Sequence, residues 1–443
     1  MASPAVCVSG SVMQRSFTLE GPGSMRFLPL LVAIFGTAHG AGAQEDSLTL
    51  RLRSIARVVE LTSTGDLAGP GGEFLRTAVQ HARFTMVAEE HGIIEVPRLA
   101  EALWREASRA GYSHFAIETG EQLAVRLENA LRSDKTGVAY LDYLRRHWPG
   151  APFFAWREDA GLLRAVINST PGRRGVLWGL DYDIIADRHA LARLRELAPD
   201  AGARRMADSA IAIADSALER AMREKNPGLI MMFGGDSAVF SRLRAAYRPR
   251  AGSEADRILT LMDSTLSINL LFLSGRGYES NLSRSRLLKR QFWRFYDSTR
   301  GATGKEPRVM LKFGASHLQR GRNFTNTYDL GSFLPELAEK DGGEALSIYV
   351  VGGPDTQRAQ IDPRSMTSMN VPVESLASAW AKPFADAADP ERWTVYDLRQ
   401  LKAMGSRAIN ALAPEVQRIL FSFDAMVVLS KSTPQHDLIT SRP

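Results

Sequence analysis

Two histidines and three carboxylates follow apolar segments of the chain, and they are residue types that move protons or bind metal ions. Glu89 and His91 close one apolar run, Glu118 closes the next, and Asp181 and His317 close two later ones. A neutral imidazole can deprotonate water while a carboxylate orients its other ring nitrogen. His91 with Glu89 or Glu118 fits this chemistry. His317 is then a candidate second acid or base, or the donor that holds an oxyanion.

The same side chains also suit a divalent metal ion, because imidazole with Asp or Glu is a common ligand set for zinc, iron and manganese. A metal ion would be held among Glu89, His91, Glu118 and His317. It would need three or four donor atoms within about 2–2.6 Å of one point, whereas a base acts on water at about 3 Å. We predict a site without a cofactor, with a divalent metal ion as the alternative.

These residues can act together only if the fold brings the ends of several strands to one place. Each of them ends an apolar run of strand length, and helical patterns separate the runs. Strand–helix–strand repeats predict parallel strands with right-handed crossovers, whose carboxyl ends share one edge of the sheet, where ligands bind. We therefore predict an α/β fold with a mostly parallel central sheet flanked by helices. The strand-containing runs are residues 83–92, 114–120, 175–183, 308–317 and 346–354.

A long segment without strand patterns interrupts this alternation. Residues 187–300 are rich in Ala, Arg and Leu at helical spacing, which predicts an inserted helical subdomain. Before the first strand-containing run, the pattern through Val58 and Val59 predicts a helix. Residues 353–382 are predicted to be mostly loop. The predicted organisation is an upstream extension (1–24), a signal peptide (25–43), the α/β domain in two parts (44–186 and 301–434) around the insertion (187–300), and a C-terminal tail (435–443).

The N-terminal region has the pattern of an export signal. Arg26 precedes the apolar stretch 28–35, and the small residues 41–43 form a cleavage box. This pattern predicts that Met25 is the true start and that the protein is exported, to the periplasm or as a secreted protein, after cleavage near Ala43. The single cysteine, Cys7, precedes the predicted cleavage site, so the mature chain is expected to contain neither disulfides nor a cysteine nucleophile.

Charge and motifs exclude several classes of function. The formal charge of +6 is spread along the chain and does not form basic clusters with interleaved aromatic residues, so we predict no nucleic-acid partner. After the predicted signal no run of 18 apolar residues follows, so no stable membrane span is expected. H-E-x-x-H, G-x-S-x-G and P-loop motifs are lacking, which disfavours the common protease, serine-hydrolase and nucleotide-binding classes. The sequence does not indicate an oligomeric state.

The ordered set of motifs resembles the erythromycin esterase-like superfamily, which is related to the ChaN-type haem-binding and TraB/Tiki proteins. The motifs keep their chain order and cover most of residues 83–434: Ala88-Glu89-Glu90-His91-Gly92, Ile117-Glu118, Gly179-Leu180-Asp181, Gly314-Ala315-Ser316-His317, and the segment from Phe423-Asp424 to Thr433-Pro434. Two features depart from the family pattern. Ala88 stands where the family has glycine, and one residue rather than two separates Glu89 from His91.

The resemblance implies a hydrolase that acts on a small-molecule ester or lactone. By this resemblance His91 is a metal-independent general base on water, Glu89 and Glu118 support it, and His317 stabilises the intermediate. Asp181 completes the set of candidate catalytic residues. The Tiki-type relatives imply a metal-dependent peptidase instead, and the ChaN-type relatives a haem-binding protein.

Overall fold

The computed structural model describes residues 38–183, 185, 187–375 and 378–439. The expected upstream extension 1–24 and most of the expected signal peptide 25–43 lie outside these residues, and 38–43 fall in the first helix. In the described part of the chain no helix is both long enough and apolar enough to cross a membrane.

The strands alternate with helices along much of the chain. The strands are β1 (Arg57–Leu61), β2 (Leu67–Ala68), β3 (Phe84–Glu89), β4 (His114–Ile117), β5 (Leu177–Gly179), β6 (Val309–Gly314), β7 (Ala345–Val351), β8 (Gln357–Asp362), β9 (Thr367–Pro372), β10 (Trp393–Asp397) and β11 (Ala425–Val428).

The helices vary from one turn to more than seven. They are α1 (Ala38–Ile55), α2 (Gly69–His81), α3 (Glu95–Arg109), α4 (Glu121–Ser133), α5 (Val138–Arg146), α6 (Arg157–Asn168), α7 (Asp187–Glu196), α8 (Ala201–Arg223), α9 (Met231–Gly234), α10 (Ala238–Tyr247), α11 (Glu254–Leu273), α12 (Gly277–Thr303), α13 (Ala315–Leu318), α14 (Leu330–Glu339), α15 (Lys382–Ala387), α16 (Leu398–Lys402), α17 (Ser406–Asn410) and α18 (Pro414–Ser422).

The strands of the central sheet follow the order β2-β1-β10-β11-β7-β3-β6-β4-β5 in the described chain. The six strands from β11 to β5 are parallel, and β2, β1 and β10 extend the sheet with antiparallel pairs. The predicted α/β class with a mostly parallel sheet is therefore confirmed. Strand β3 lies between β6 and β7, so the turn that follows it opens at the middle of the sheet edge.

Helices cover both faces of the sheet, as expected for strands that are buried on both sides. Alternate residues of β3 enter different cores: Val87 packs in one with helices α2, α3 and α6, and Met86 in the other with α12, α14 and α18. A third core lies among helices α7, α8, α10 and α11, between β5 and β6 in sequence. These helices form within the predicted insertion 187–300, which has no strand in its described residues.

Two local predictions were wrong. Val58 and Val59 belong to strand β1 and not to a helix, because pairing with β10 prevails over an apolar spacing that also fits a helix. The segment predicted to be mostly loop contains the hairpin β8–β9, which forms a two-stranded sheet of its own. Its strands lack a clear apolar alternation, since polar residues occur on both faces.

Candidate functional site

The first part of the site is the turn that leaves strand β3. Glu89 is the last residue of this buried strand, and the His91 Nδ1 lies 2.8 Å from the Glu89 Oε1. Gly92 follows with φ +91°, a conformation that turns the chain sharply and that glycine adopts most easily. The His91 ring stacks on Phe153, with ring centroids 4.3 Å apart. The carboxylate and the stacked ring together fix the orientation of the imidazole.

A second imidazole–carboxylate pair forms at the neighbouring strand. Strand β6 ends at Gly314, and the short helix α13 presents His317, whose Nδ1 lies 2.8 Å from the Asp329 Oδ2. Asp329 also caps helix α14, since its other oxygen accepts from the Leu330 N–H. Sequence analysis assigned Asp329 no role. The only sequence signal was an Asp preceding an apolar helical pattern, as helix caps do.

Glu118, at the end of the next strand, lies between the two imidazoles. Its Oε2 is 3.4 Å from the His91 Nε2 and its Oε1 is 3.5 Å from the His317 Nε2. The Gly314 N–H donates to the same carboxylate at 2.7 Å. The structure therefore brings Glu89, His91, Glu118 and His317 together, as the strand-end pattern predicts.

Asp181, the fifth predicted residue, lies behind Glu118. Arg284 of helix α12 separates the two carboxylates and donates to Glu118 Oε1 at 2.9 Å and to Asp181 Oδ1 at 3.0 Å. Asp181 thus acts on the site through Arg284 and does not itself line the cavity above the imidazoles. Sequence analysis missed Arg284 because it is one of many arginines in the helical insertion and has no distinctive spacing.

A buried cation lies beneath the His91–Glu89 pair. The Lys312 Nζ is 2.5 Å from the Glu89 Oε1 and 2.8 Å from the Asp159 Oδ1. Neither Lys312 nor Asp159 was included among the predicted site residues, although a lone lysine in the apolar run 309–313 is visible in the sequence. Such a residue signals a buried partner, because an unpaired charge is rarely buried.

These charges control the ionisation of the site. Burial alone would lower the pKa of His91, but the charges of Glu89 and Glu118 outweigh it and raise that pKa to about 9. Burial and Arg284 oppose protonation of His317, yet Glu118 and Asp329 raise its pKa as well. Burial would raise the pKa of Glu118, but the imidazoles and Arg284 hold it well below its usual range. In the resting site, therefore, Glu118 is ionised and His91 is protonated at neutral pH.

A cavity of about 330 Å³ opens above these residues. Glu89, His91, Glu118 and His317 line it, and its aromatic walls are formed by Phe324, Tyr349 and Trp380. Its size and its mixture of aromatic and polar groups are typical of a small-molecule site.

Glu90, between Glu89 and His91 in sequence, also faces this cavity. Its two oxygens accept from the backbone N–H groups of Glu374 and Ser375, and Arg358 of strand β8 lies 2.8 Å from one of them. Glu90 thus attaches one wall of the cavity to the turn that carries His91.

Positive side chains lie against the carboxylates that a metal ion would need. No group of three or more Cys, His, Asp or Glu residues among them is arranged to hold a metal ion. Arg284 and Lys312 place positive charges against Glu118 and Glu89, the carboxylates that a metal ion would need. A bound cation would be repelled by both groups.

Comparisons with known proteins show a likeness of fold. No family model matches the chain, and no curated protein matches it either. Among solved structures, a variant of the erythromycin esterase EreC in its open conformation is 15% identical with a TM-score of 0.60, covering 87% of this chain and 100% of that one. A succinoglycan biosynthesis protein is 12% identical with a TM-score of 0.57, covering 88% and 98%. A protein from Bacillus cereus is 14% identical with a TM-score of 0.54, covering 89% and 99%. At these identities the likeness establishes the fold alone.

Proposed function

We propose that the protein is a hydrolase that opens a small-molecule ester or lactone by the attack of water, with His91 as the general base. One observation carries the proposal. Two imidazole–carboxylate pairs, His91–Glu89 and His317–Asp329, line a small-molecule cavity, and their Nε2 atoms face the two oxygens of the Glu118 carboxylate between them. The fold shared with an erythromycin esterase is compatible with this reaction.

In the proposed reaction neutral His91 removes a proton from water through its Nε2, while Glu89 orients the ring through Nδ1. The water oxygen bonds to the carbonyl carbon, and the carbonyl electron pair moves to the oxygen. Protonated His317 donates to this oxyanion. When the intermediate collapses, the bond to the alkoxide breaks and His91 returns its proton to the leaving oxygen. The products are an acid and an alcohol, and the site is restored.

The resting protonation state makes this activity alkaline. Because the pKa of His91 is raised to about 9, only about 1% of the imidazole is neutral at pH 7. Turnover is therefore expected to rise with pH as His91 loses its proton, and to fall once His317 has lost the proton that it donates to the oxyanion.

The experiment that tests the proposal is a hydrolysis assay at pH 9 with nitrophenyl esters and lactones of increasing size. We expect His91→Asn, which can still bond to Glu89, to lower turnover by at least about 100-fold. The control is His81→Asn on the surface of helix α2, which should stay within about twofold of the unaltered protein. Full turnover by His91→Asn on every substrate that is cleaved would contradict the proposal, as would a complete lack of turnover by the unaltered protein.

The alternatives of a metal-dependent peptidase and a haem-binding protein are decided in the same preparations. Elemental analysis and a visible spectrum, taken after loading with zinc, manganese or haem, should show no stoichiometric binding. Binding that is lost in His91→Asn would favour one of the alternatives.

Export also stays a proposal, supported by the N-terminal sequence pattern alone. Expression of the full chain in a bacterial host, with N-terminal sequencing of the exported fraction, should give a mature chain that begins near residue 44. Retention of the whole chain inside the cell would contradict it.

A further inference from the structure

We propose that Lys312 is a positioning residue that, together with Asp159, holds the Glu89 carboxylate in place beneath His91 and thereby governs the proton affinity of that imidazole. The name "buried relay" is used below for His91, Glu89, Lys312 and Asp159. The inference deepens the proposed function, but its main test needs no substrate.

The buried relay is a continuous row of short contacts. The Glu89 Oε1 lies 2.8 Å from the His91 Nδ1 and 2.5 Å from the Lys312 Nζ, so one oxygen serves both cations. Lys312 continues to Asp159 at 2.8 Å, and the Gln435 side chain donates to the other Asp159 oxygen at 3.0 Å. Any change in the charge of Lys312 or Asp159 therefore acts on the oxygen that His91 uses.

The sheet register explains why a lysine can reach this position. Lys312 on β6 is the lateral partner of Val87 on β3 and of Ile117 on β4, which both lie in the core beside helices α3 and α6. Glu89 is two residues beyond Val87 and so faces the same side of the sheet. Lys312 is only 8% exposed, Glu89 3% and Asp159 2%. Well-packed hydrophobic residues in place of a buried ion pair often stabilise a fold equally well. Stability alone therefore does not account for this lysine.

The local charges determine the direction of its effect. Burial opposes ionisation of Glu89, yet Lys312 and His91 together lower its pKa. Burial raises the pKa of Asp159, against the opposing charge of Lys312. Among the described residues, the other charged or titratable groups that face the buried relay are Glu118 just after β4, Tyr140 from α5, His317 and Asp329 on the far side of Glu118, and Arg284 from α12. These residues are left unaltered in the variants of Lys312 and Asp159.

Removing Lys312 and removing Asp159 should therefore shift the pKa of His91 in opposite directions. Lys312→Met removes a positive charge and leaves Glu89 Oε1 to His91 alone, so the pKa of His91 should rise. Asp159→Asn removes a negative charge and leaves Lys312 wholly to Glu89, so the pKa should fall. Each shift should be about 0.5 unit or more. Lys312→Arg retains the charge and should shift it by less than about 0.3 unit.

The measurement is a pH titration of the histidine ring signals by NMR on the full protein labelled in histidine, with His91→Asn used to assign the His91 signal. Lys340→Met, at an exposed lysine, is the control and should leave that signal unchanged. Opposite shifts in Lys312→Met and Asp159→Asn support the proposal, because a general loosening of the fold would hydrate His91 and move both titrations the same way. Absent or parallel shifts overturn it.

Two further outcomes are also decisive. If Lys312→Met does not fold, Asp159→Asn and Lys312→Arg decide alone. The pKa of His91 must then fall in Asp159→Asn and stay unchanged in Lys312→Arg, and any other pair of results overturns the proposal. When turnover is followed in the same variants, its pH dependence should shift with the NMR titration. If the NMR titrations shift but the pH dependence of turnover does not, the proposal for the buried relay holds and the proposed role of His91 as general base is contradicted.

Discussion

Arg284 donates to Asp181 at 3.0 Å across 103 positions of the sequence. Asp181 lies just beyond β5 of the central sheet, and Arg284 belongs to helix α12 of the insertion. The same guanidinium reaches Glu118, so the insertion supplies the cation that separates two carboxylates at the sheet edge. The helical insertion is thereby part of the candidate site and not an appendage to it.

Arg284→Met is expected to destabilise the protein by about 3–5 kcal/mol, because it leaves two buried carboxylates without their shared partner. Denaturant unfolding followed by circular dichroism measures this free energy. Arg286→Met, at an exposed position of the same helix, is the matched control and should change it by no more than about 0.5 kcal/mol. Equal stability of the two variants would show that Arg284 does not hold the carboxylates.

The pH dependence of stability follows from His91. Its pKa is raised from 6.5 to about 9 in the folded protein, so protonation stabilises the fold below pH 6.5 and this contribution disappears as the pH rises through 9. The loss is of the order of 3 kcal/mol. The free energy of unfolding should therefore fall more steeply between pH 6.5 and 9.5 in the unaltered protein than in His91→Asn. Parallel curves would contradict the raised pKa.

Asp329→Asn tests the second imidazole pair. Asparagine can still accept from the Leu330 N–H and cap helix α14, but it removes the charge that raises the pKa of His317. Fewer His317 side chains would then carry the proton that the oxyanion needs, and turnover should fall by about tenfold or more with little change in melting temperature. Asp341→Asn, which alters a surface ion pair with Arg83, is the control. A similar loss in both variants would indicate a nonspecific effect.

Gly92→Ala tests the close approach of the β8–β9 hairpin to the His91 turn. A Cβ atom at Gly92 would lie 1.8 Å from the Ala359 carbonyl oxygen, so the hairpin would have to move. Gly111→Ala is a matched control, because Gly111 has a similar φ of +86° but no neighbour within 4 Å. The control should lose about 1 kcal/mol of unfolding free energy through backbone strain, and Gly92→Ala at least about 2 kcal/mol more. Equal losses of unfolding free energy in the two variants would show that the hairpin moves away from residue 92 at little cost.

The sheet and the residues at its edge were predictable for a simple reason. A buried parallel strand is a short apolar run, and the residue that follows it lies at the sheet edge whatever the rest of the fold does. Glu89, His91, Glu118 and His317 could therefore be placed together from the sequence. Their catalytic roles stay predictions.

The partners of these residues were not predictable in the same way. Arg284 and Asp159 reach the site from helices whose positions depend on tertiary packing, and local spacing carries no information about that packing. Asp329 occurs in a polar loop, where an Asp is unremarkable in sequence. Lys312 differs from them, because a lysine inside an apolar strand is unusual, and the sequence could have revealed it although it was not predicted.

The segment 433–437 braces the turn that carries His91 and is synthesised long after it. The Ile94 N–H donates to the Thr433 carbonyl, the Gln435 N–H donates to the Gly92 carbonyl, and Thr433 contacts Glu95 from 338 positions away. A ribosome therefore delivers the strand of His91 long before the residues that brace its turn. Closing so long a loop is slow, and the turn stays unbraced until it closes. A chain that has not yet reached residue 435 therefore lacks the hydrogen bonds that hold the His91 turn in the folded protein.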